Sequence, residues 1–228
     1  MDTVILAAGR GERLNGIAAP YHKPLLPVNG KPLIRQAVEL TYLASEPSDR
    51  VPIIVAAPEN ALPITQVLDG LHYEMVIQSS PRGPGHALLR GLRLVTDPDV
   101  MVLMSDNVFT YEDICKFTQL QTAGVGVRYV DRHDAERFTR IRKDGTWVEK
   151  VPVRDEDLTA TSFTPTRVVC WVGPLKIDAD VTRRVLSDFF SNVPLGPPVL
   201  NAHHGIITVE VDTYDIGVPE AWNGKGET

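Results

Sequence analysis

The run Thr3-Val4-Ile5-Leu6-Ala7-Ala8-Gly9-Arg10-Gly11-Glu12-Arg13-Leu14 decides how the rest of the chain is read. Its first half, Thr3 to Ala8, is short and apolar and stops at a glycine-rich turn, which is how a central strand buried on both faces ends. A strand feeding such a turn lets backbone N–H groups approach an anion closely. Arg10 and Arg13 set positive charge beside the turn. Lys23 follows in Lys23-Pro24-Leu25-Leu26-Pro27, where the prolines hold the backbone extended. Cations converging on a glycine loop suit a polyphosphate; a tight turn flanked by solvated cations is the competing reading. The pattern GxGxxL lacks the third glycine of a dinucleotide fingerprint, and the GK[ST] of a P-loop is absent.

Outward from this run, strands and helices alternate. A helical pattern opens at Pro32, with Leu33, Ile34, Ala37, Val38 and Leu40 on one side. Val51–Ala57 and Tyr73–Ile77 read as strands around a short helix at Leu62–Leu68. Helical spacing returns after Pro84-Gly85. Val100–Met104 reads as a strand that stops at Ser105-Asp106-Asn107, and Tyr111–Thr122 as a helix. This alternation predicts an α/β fold: a doubly wound, mainly parallel mixed sheet in three layers, Rossmann-like. Beyond Gly124 strands dominate, at Val125–Val130, Trp147–Val153, Val168–Val172 and Ile206–Val211, with a helix at Asp180–Phe190. They are expected to extend the first sheet, giving one domain over 1–228 with halves at 1–123 and 124–222. Asp144-Gly145 is a hairpin signal. Arg154–Pro165 reads as a polar loop, and the tail after Trp222 as frayed.

Composition sets the outer limits. The chain has 228 residues, 23 Lys plus Arg against 29 Asp plus Glu, and a formal charge of −6. At this length about 70% of the extended-chain surface can be buried without disulfide or metal. The acidic balance argues against nucleic acid held by phosphate contacts. No apolar stretch approaches the ~20 residues of a membrane span. Cys115 and Cys170 form no CxxC pair and read as ordinary thiols. The N-terminus lacks the charged and apolar pattern of a secretory signal, so a reducing cytoplasm is the expected setting.

Several stretches together resemble the sugar-nucleotidyltransferase family. LAAGRGERL followed by KPLLPVNGKPLI is similar to its N-terminal signature. QSSPRGPGHA at Gln78–Ala87 resembles its base-recognition segment. VLMSDNVF at Val102–Phe109 resembles its GDN motif, with Ser105 in place of glycine. Trp147-Val148-Glu149-Lys150-Val151-Pro152 is similar to its EKP segment with one residue inserted. Asp215-Ile216-Gly217-Val218-Pro219 is similar to its DIGTP segment. The stretch Asn15–Tyr21 and His22 depart from the family pattern.

The resemblance implies roles residue by residue. Leu6, Ala8, Gly9 and Gly11 would line a nucleoside triphosphate, with Arg13 and Lys23 on its phosphates. Gln78 and Gly83 would read the base, and His86 would orient or pack. Asp106 and Asp215 would hold Mg²⁺, with Asp212 in reserve. Asn107, Glu149 and Lys150 would bind the sugar phosphate. The implied reaction joins a nucleoside triphosphate, dTTP or UTP favoured, to a sugar 1-phosphate, with Arg13, Lys23, Lys150 and Asp106 as the catalytic set. A cytidylyl- or guanylyltransferase and a catalytically silent nucleotide-binding module are the rival readings. The implied partners are the two small substrates, with no nucleic acid and no membrane. A homo-oligomer is left open, the apolar segment Val193–Leu200 being its candidate interface.

Overall fold

The computed structural model describes residues 1–9, 23–44, 50–142, 144–149, 151–153, 167–189 and 191–215. Arg10, Gly11, Arg13, Lys150 and the 154–165 segment lie outside the described residues.

Four parallel strands form the first half of the main sheet: β1 (Asp2–Ala7), β4 (Ile53–Ala56), β5 (Glu74–Ile77) and β6 (Asp99–Met104). Their spatial order is β5-β4-β1-β6, so the chain steps outward on one side of β1 and then crosses to the other. That reversal opens a crevice between the carboxyl ends of β1 and β6, where ligands bind in open α/β sheets.

Alternation along these strands builds both cores. Val4, Leu6, Val55, Val100 and Val102 face one side, against Ala87 and Leu88 of α3 (Pro84–Gly91), Leu186 of α6 (Ala179–Ser187) and Val199 and Leu200 of α7 (Gly196–Ala202). Ile5, Ala7, Ile54, Met101 and Leu103 face the other side. There they meet Ile34 and Val38 of α1 (Leu33–Ala44), Ile64 of α2 (Pro58–Val67) and Ile114 and Phe117 of α4 (Tyr111–Gln119). Both faces are covered, which explains why the strands read as continuous apolar runs.

The second half joins the same sheet through β11 (Arg167–Asp178). One edge of β11 pairs antiparallel with β8 (Gly124–Asp131), which in turn pairs with β12 (Ile207–Glu210). The other edge pairs with β6 over Leu175–Asp178 and with β9 (Thr139–Ile141) at Cys170. The hairpin of β9 and β10 (Trp147–Glu149) therefore lies past the carboxyl end of β6, on the side where the crevice opens. Its turn contains Asp144, whose carboxylate accepts from Thr146 N–H at 2.9 Å, and Gly145 at φ +84°.

Several local expectations are corrected. Pro32 does not open α1: with Lys31 it forms the short strand β3 (Lys31–Pro32), paired with β2 (Pro27–Val28) across the Asn29-Gly30 turn. The Trp147–Val153 strand ends at Glu149. The Val168–Val172 strand instead continues through Gly173-Pro174 to Asp178. A register shift between Trp171 and Leu175 absorbs the proline's missing N–H, which is where a strand tolerates one. A Cβ on Gly126 would stand 2.8 Å from the Gly173 Cα, so the two strands meet there glycine on glycine. Val193, Leu195, Val199 and Leu200 are buried inside the chain, which removes them as an interface. The helix α5 (Arg132–Ala135) and the pair β7 (Asn107–Val108) with β13 (Tyr214–Asp215) carry no clear sequence signal.

Candidate functional site

A cleft of about 390 Å³ fills the crevice, lined by Leu6, Ala8, Gly9, Lys23, Gln78, Gly83, Met104, Ser105 and Asp106 among others. Its size falls in the range of small-molecule sites. Six of the expected nucleotide-binding residues meet here: Leu6, Ala8, Gly9, Lys23, Gln78 and Gly83.

Each enters from the end of an element. The strand β1 delivers Ala8 and Gly9 as it leaves the sheet. Asn60 fixes that exit: it is fully buried, donates to the Ala7 carbonyl at 2.7 Å and accepts from Ala57 N–H at 2.8 Å. Among the described residues a Cβ built on Gly9 would meet nothing within 4 Å, and Gly9 lines the cleft. Ser105 N–H donates to Leu6 O at 3.1 Å and carries the β1–β6 pairing one residue further. Asp106 then stands at the carboxyl edge.

Lys23 begins a 3₁₀ turn over Lys23–Leu25 and reaches across to Asp106, Nζ to Oδ2 at 3.0 Å. The Lys23 side chain is 8% exposed and that of Asp106 22%. A cation this dry needs a counter-charge, and the aspartate supplies it. Asp106 thus presents a hard carboxylate at the cleft floor. One or two such carboxylates completed by phosphate oxygens suit Mg²⁺. Among the described residues no group of three or more His, Cys, Asp or Glu gathers into a protein-only metal cage.

The backbone of Asp215 pairs with that of Asn107, next in sequence to Asp106, through the β13–β7 ladder. A carboxylate buried elsewhere holds this ladder in place. Asp113 in the first turn of α4 is fully buried. It accepts from Thr213 N–H at 2.8 Å, Thr213 Oγ1–H at 2.9 Å and Asp212 N–H at 3.1 Å. Asp212 itself is exposed. Asn107 is buried and donates its amide N–H to the Val172 carbonyl, tying β7 to β11. Glu149 ends β10 opposite Thr139 and is half-buried, but it does not line the cleft.

The far wall is built around Gln78. Its N–H donates to Ala56 O at 2.8 Å, extending the β4–β5 pairing past Ile77. Its side-chain Nε2 lies 3.0 Å from the Gly83 carbonyl oxygen and 3.0 Å from His86 Nδ1. Gly83 sits at φ +86°, and a Cβ there would stand 2.7 Å from both Asn192 Oδ1 and the Val193 carbonyl oxygen. That conformation aims the Gly83 carbonyl back at Gln78. Val193 N–H donates to Arg82 O at 2.8 Å, so the second half of the chain braces the wall. His86 titrates below its ordinary value, because burial and the charges of Arg82, Arg90 and Arg93 disfavour the imidazolium. Cys170, paired beside β9 in the sheet, is buried with Ala135, Val153 and Val168, and its thiol is pushed up to about 12, chiefly by desolvation.

Sequence reasoning missed Asn60 and Asp113. Both look like first-turn helix residues, and their partners Ala7 and Thr213 lie far away in sequence. Thr110, whose Oγ1 accepts from Asp113 N–H at 3.1 Å, gives the only local signal, that of a helix cap.

Comparison with known proteins follows the same outline. The family model described as MobA-like NTP transferase domain matches residues 3–152. A glucose-1-phosphate thymidylyltransferase of Neisseria gonorrhoeae is 28% identical over 210 residues, covering 82% of this chain and 72% of that protein. A UDP-glucose pyrophosphorylase solved with UDP-glucose superposes with TM-score 0.73 at 22% identity, covering 97% of this chain and 95% of that one. HddC from Yersinia pseudotuberculosis superposes with TM-score 0.71 at 19% identity, covering 99% and 98%. The structural likenesses establish the shared fold. With the family model matched over most of its length, the chain belongs to the MobA-like NTP transferase family and is a nucleotidyltransferase.

Proposed function

We propose that the protein joins a nucleoside triphosphate, UTP or dTTP by preference, to a sugar 1-phosphate, releasing pyrophosphate. The observation that carries this reading is convergence: the β1 exit, the Lys23–Asp106 pair and the Gln78–Gly83 wall meet on one cleft at the switch point. The similar proteins named above, a glucose-1-phosphate thymidylyltransferase and a UDP-glucose pyrophosphorylase, support the choice of substrates.

The halves divide the work, 1–123 taking the nucleotide and 124–222 the sugar phosphate. A phosphate monoester has a second pKa near 6, so the attacking oxygen is already ionised at neutral pH and no general base is required. That oxygen forms a bond to the α-phosphorus while the bond to the bridging oxygen breaks and pyrophosphate leaves. Catalysis then rests on positioning and charge stabilisation. Backbone at Ala8, Gly9 and Gly11 cradles the triphosphate beside Leu6. Arg13 and Lys23 offset charge developing on the leaving pyrophosphate. Glu149 and Asn107 would bind the sugar phosphate, and Lys150 would steady its phosphate in line. Asp106 and Asp215 would hold Mg²⁺, which when bound neutralises charge on the phosphate oxygens. In the free protein Lys23 and Asp106 compensate each other's charge across 3.0 Å.

The test is Asp106→Ala, with pyrophosphate release and nucleotide affinity measured side by side. Turnover should fall by more than about 100-fold while the nucleotide dissociation constant moves by less than about fivefold. Near-normal turnover would remove Asp106 from the metal assignment.

A further inference from the structure

We infer that His86 is a positioning residue for base selection: by accepting from the Gln78 amide it leaves only the Gln78 carbonyl oxygen to read the base, which selects bases with a ring N–H at that edge. This rests on the cleft being the nucleotide site.

The amide orientation is fixed by its neighbours. The Gly83 carbonyl oxygen, 3.0 Å away, can only accept, so the Gln78 atom facing it must be Nε2. The same Nε2 lies 3.0 Å from His86 Nδ1. An amide nitrogen only donates, so Nδ1 must be the bare acceptor nitrogen and the ring proton sits on Nε2 of the imidazole. Both amide hydrogens of Gln78 are then used. Its Oε1 takes no hydrogen bond from the described residues, and the side chain lines the cleft at 6% exposure. Flipping the amide would set Oε1 against two acceptors at once.

A lone acceptor in a dry wall discriminates by chemistry. Uracil and thymine carry N3–H and guanine carries N1–H, each a donor for Oε1. Cytosine N3 and adenine N1 present lone pairs, and two acceptors left facing each other lose the bond and retain the desolvation penalty. His86 is half-buried and does not itself line the cleft, so it acts through Gln78. Arg82, Arg90 and Arg93 favour its neutral ring.

The test compares dissociation constants for UTP and CTP in the wild type, His86→Leu and His86→Asn, by calorimetry with Mg²⁺. Leucine removes the acceptor; asparagine can return one through Oδ1. The wild type should prefer UTP by at least about tenfold. His86→Leu should reduce that ratio by about tenfold, and His86→Asn should retain most of it. A ratio unchanged in His86→Leu, or both nucleotides weakened equally with asparagine giving no rescue, would overturn the role of His86 and leave the nucleotide site standing. A wild type that binds neither nucleotide would overturn the site reading, and the inference with it.

Discussion

Replacing Asp113 by alanine should destabilise the fold by more than any substitution in the cleft. Three short hydrogen bonds converge on this carboxylate, from Thr213 N–H at 2.8 Å, Thr213 Oγ1–H at 2.9 Å and Asp212 N–H at 3.1 Å, with Lys116 Nζ further out at 3.5 Å. Both Asp113 and Thr213 are fully buried, so water does not replace the lost acceptor. A hydrogen bond to a charged group contributes roughly 1.5–3 kcal/mol, and the three share one acceptor, so their losses do not simply add. About 3–5 kcal/mol is the expected total, a large part of a typical stability of about 5–15 kcal/mol. At roughly 2–4 °C per kcal/mol for a chain of this size, the melting midpoint should drop by about 6–20 °C. The assay is urea unfolding followed by circular dichroism, with a cycle through Thr213→Val to isolate the pair. A single-mutant loss below about 1 kcal/mol, or a coupling near zero, would refute the idea that this carboxylate clamps Thr213 and the start of the β13 segment.

Gly83→Ala should cost about 1–3 kcal/mol from the positive φ alone, and weaken nucleotide binding as Asn192 and Val193 are pushed off the wall, read by melting and calorimetry. The Asp2 carboxyl is pushed up by burial, but the N–H groups of Asp97 and Thr96 and the Arg50 guanidinium outweigh that and hold it below the usual range. The unfolded chain therefore binds this proton at higher pH than the folded one. The stabilisation is fully present above about pH 4 and is lost as pH falls through the lower folded value, so Asp2→Asn should flatten the acid limb of the stability–pH curve. An unchanged limb would mean that Asp2 does not titrate differently on folding.

The first half of the fold was legible because burial on both faces leaves a pattern that local reading can follow. Each parallel strand reads as an apolar run ending in a glycine, proline or Asx turn. The second half was less so because its determinants are pairings between distant residues. β11 continues through Gly173-Pro174 only because Gly126 opposite lets the backbones close. β9 is three residues long and borrows its order from Cys170 on β11. The site followed the same division. Gln78 and Asp106 stand at strand ends that the pattern exposes. What holds them, Lys23 on Asp106 and His86 on Gln78, depends on side-chain distances that spacing does not encode.

Pyrophosphate release is the most direct test of the central claim. With Mg²⁺, UTP or dTTP and glucose 1-phosphate as the first acceptor among several sugar 1-phosphates, release should require both substrates together and should vanish in Asp106→Ala. Release from nucleotide alone at the same rate, or none across the panel from a protein that binds neither nucleotide, would contradict it.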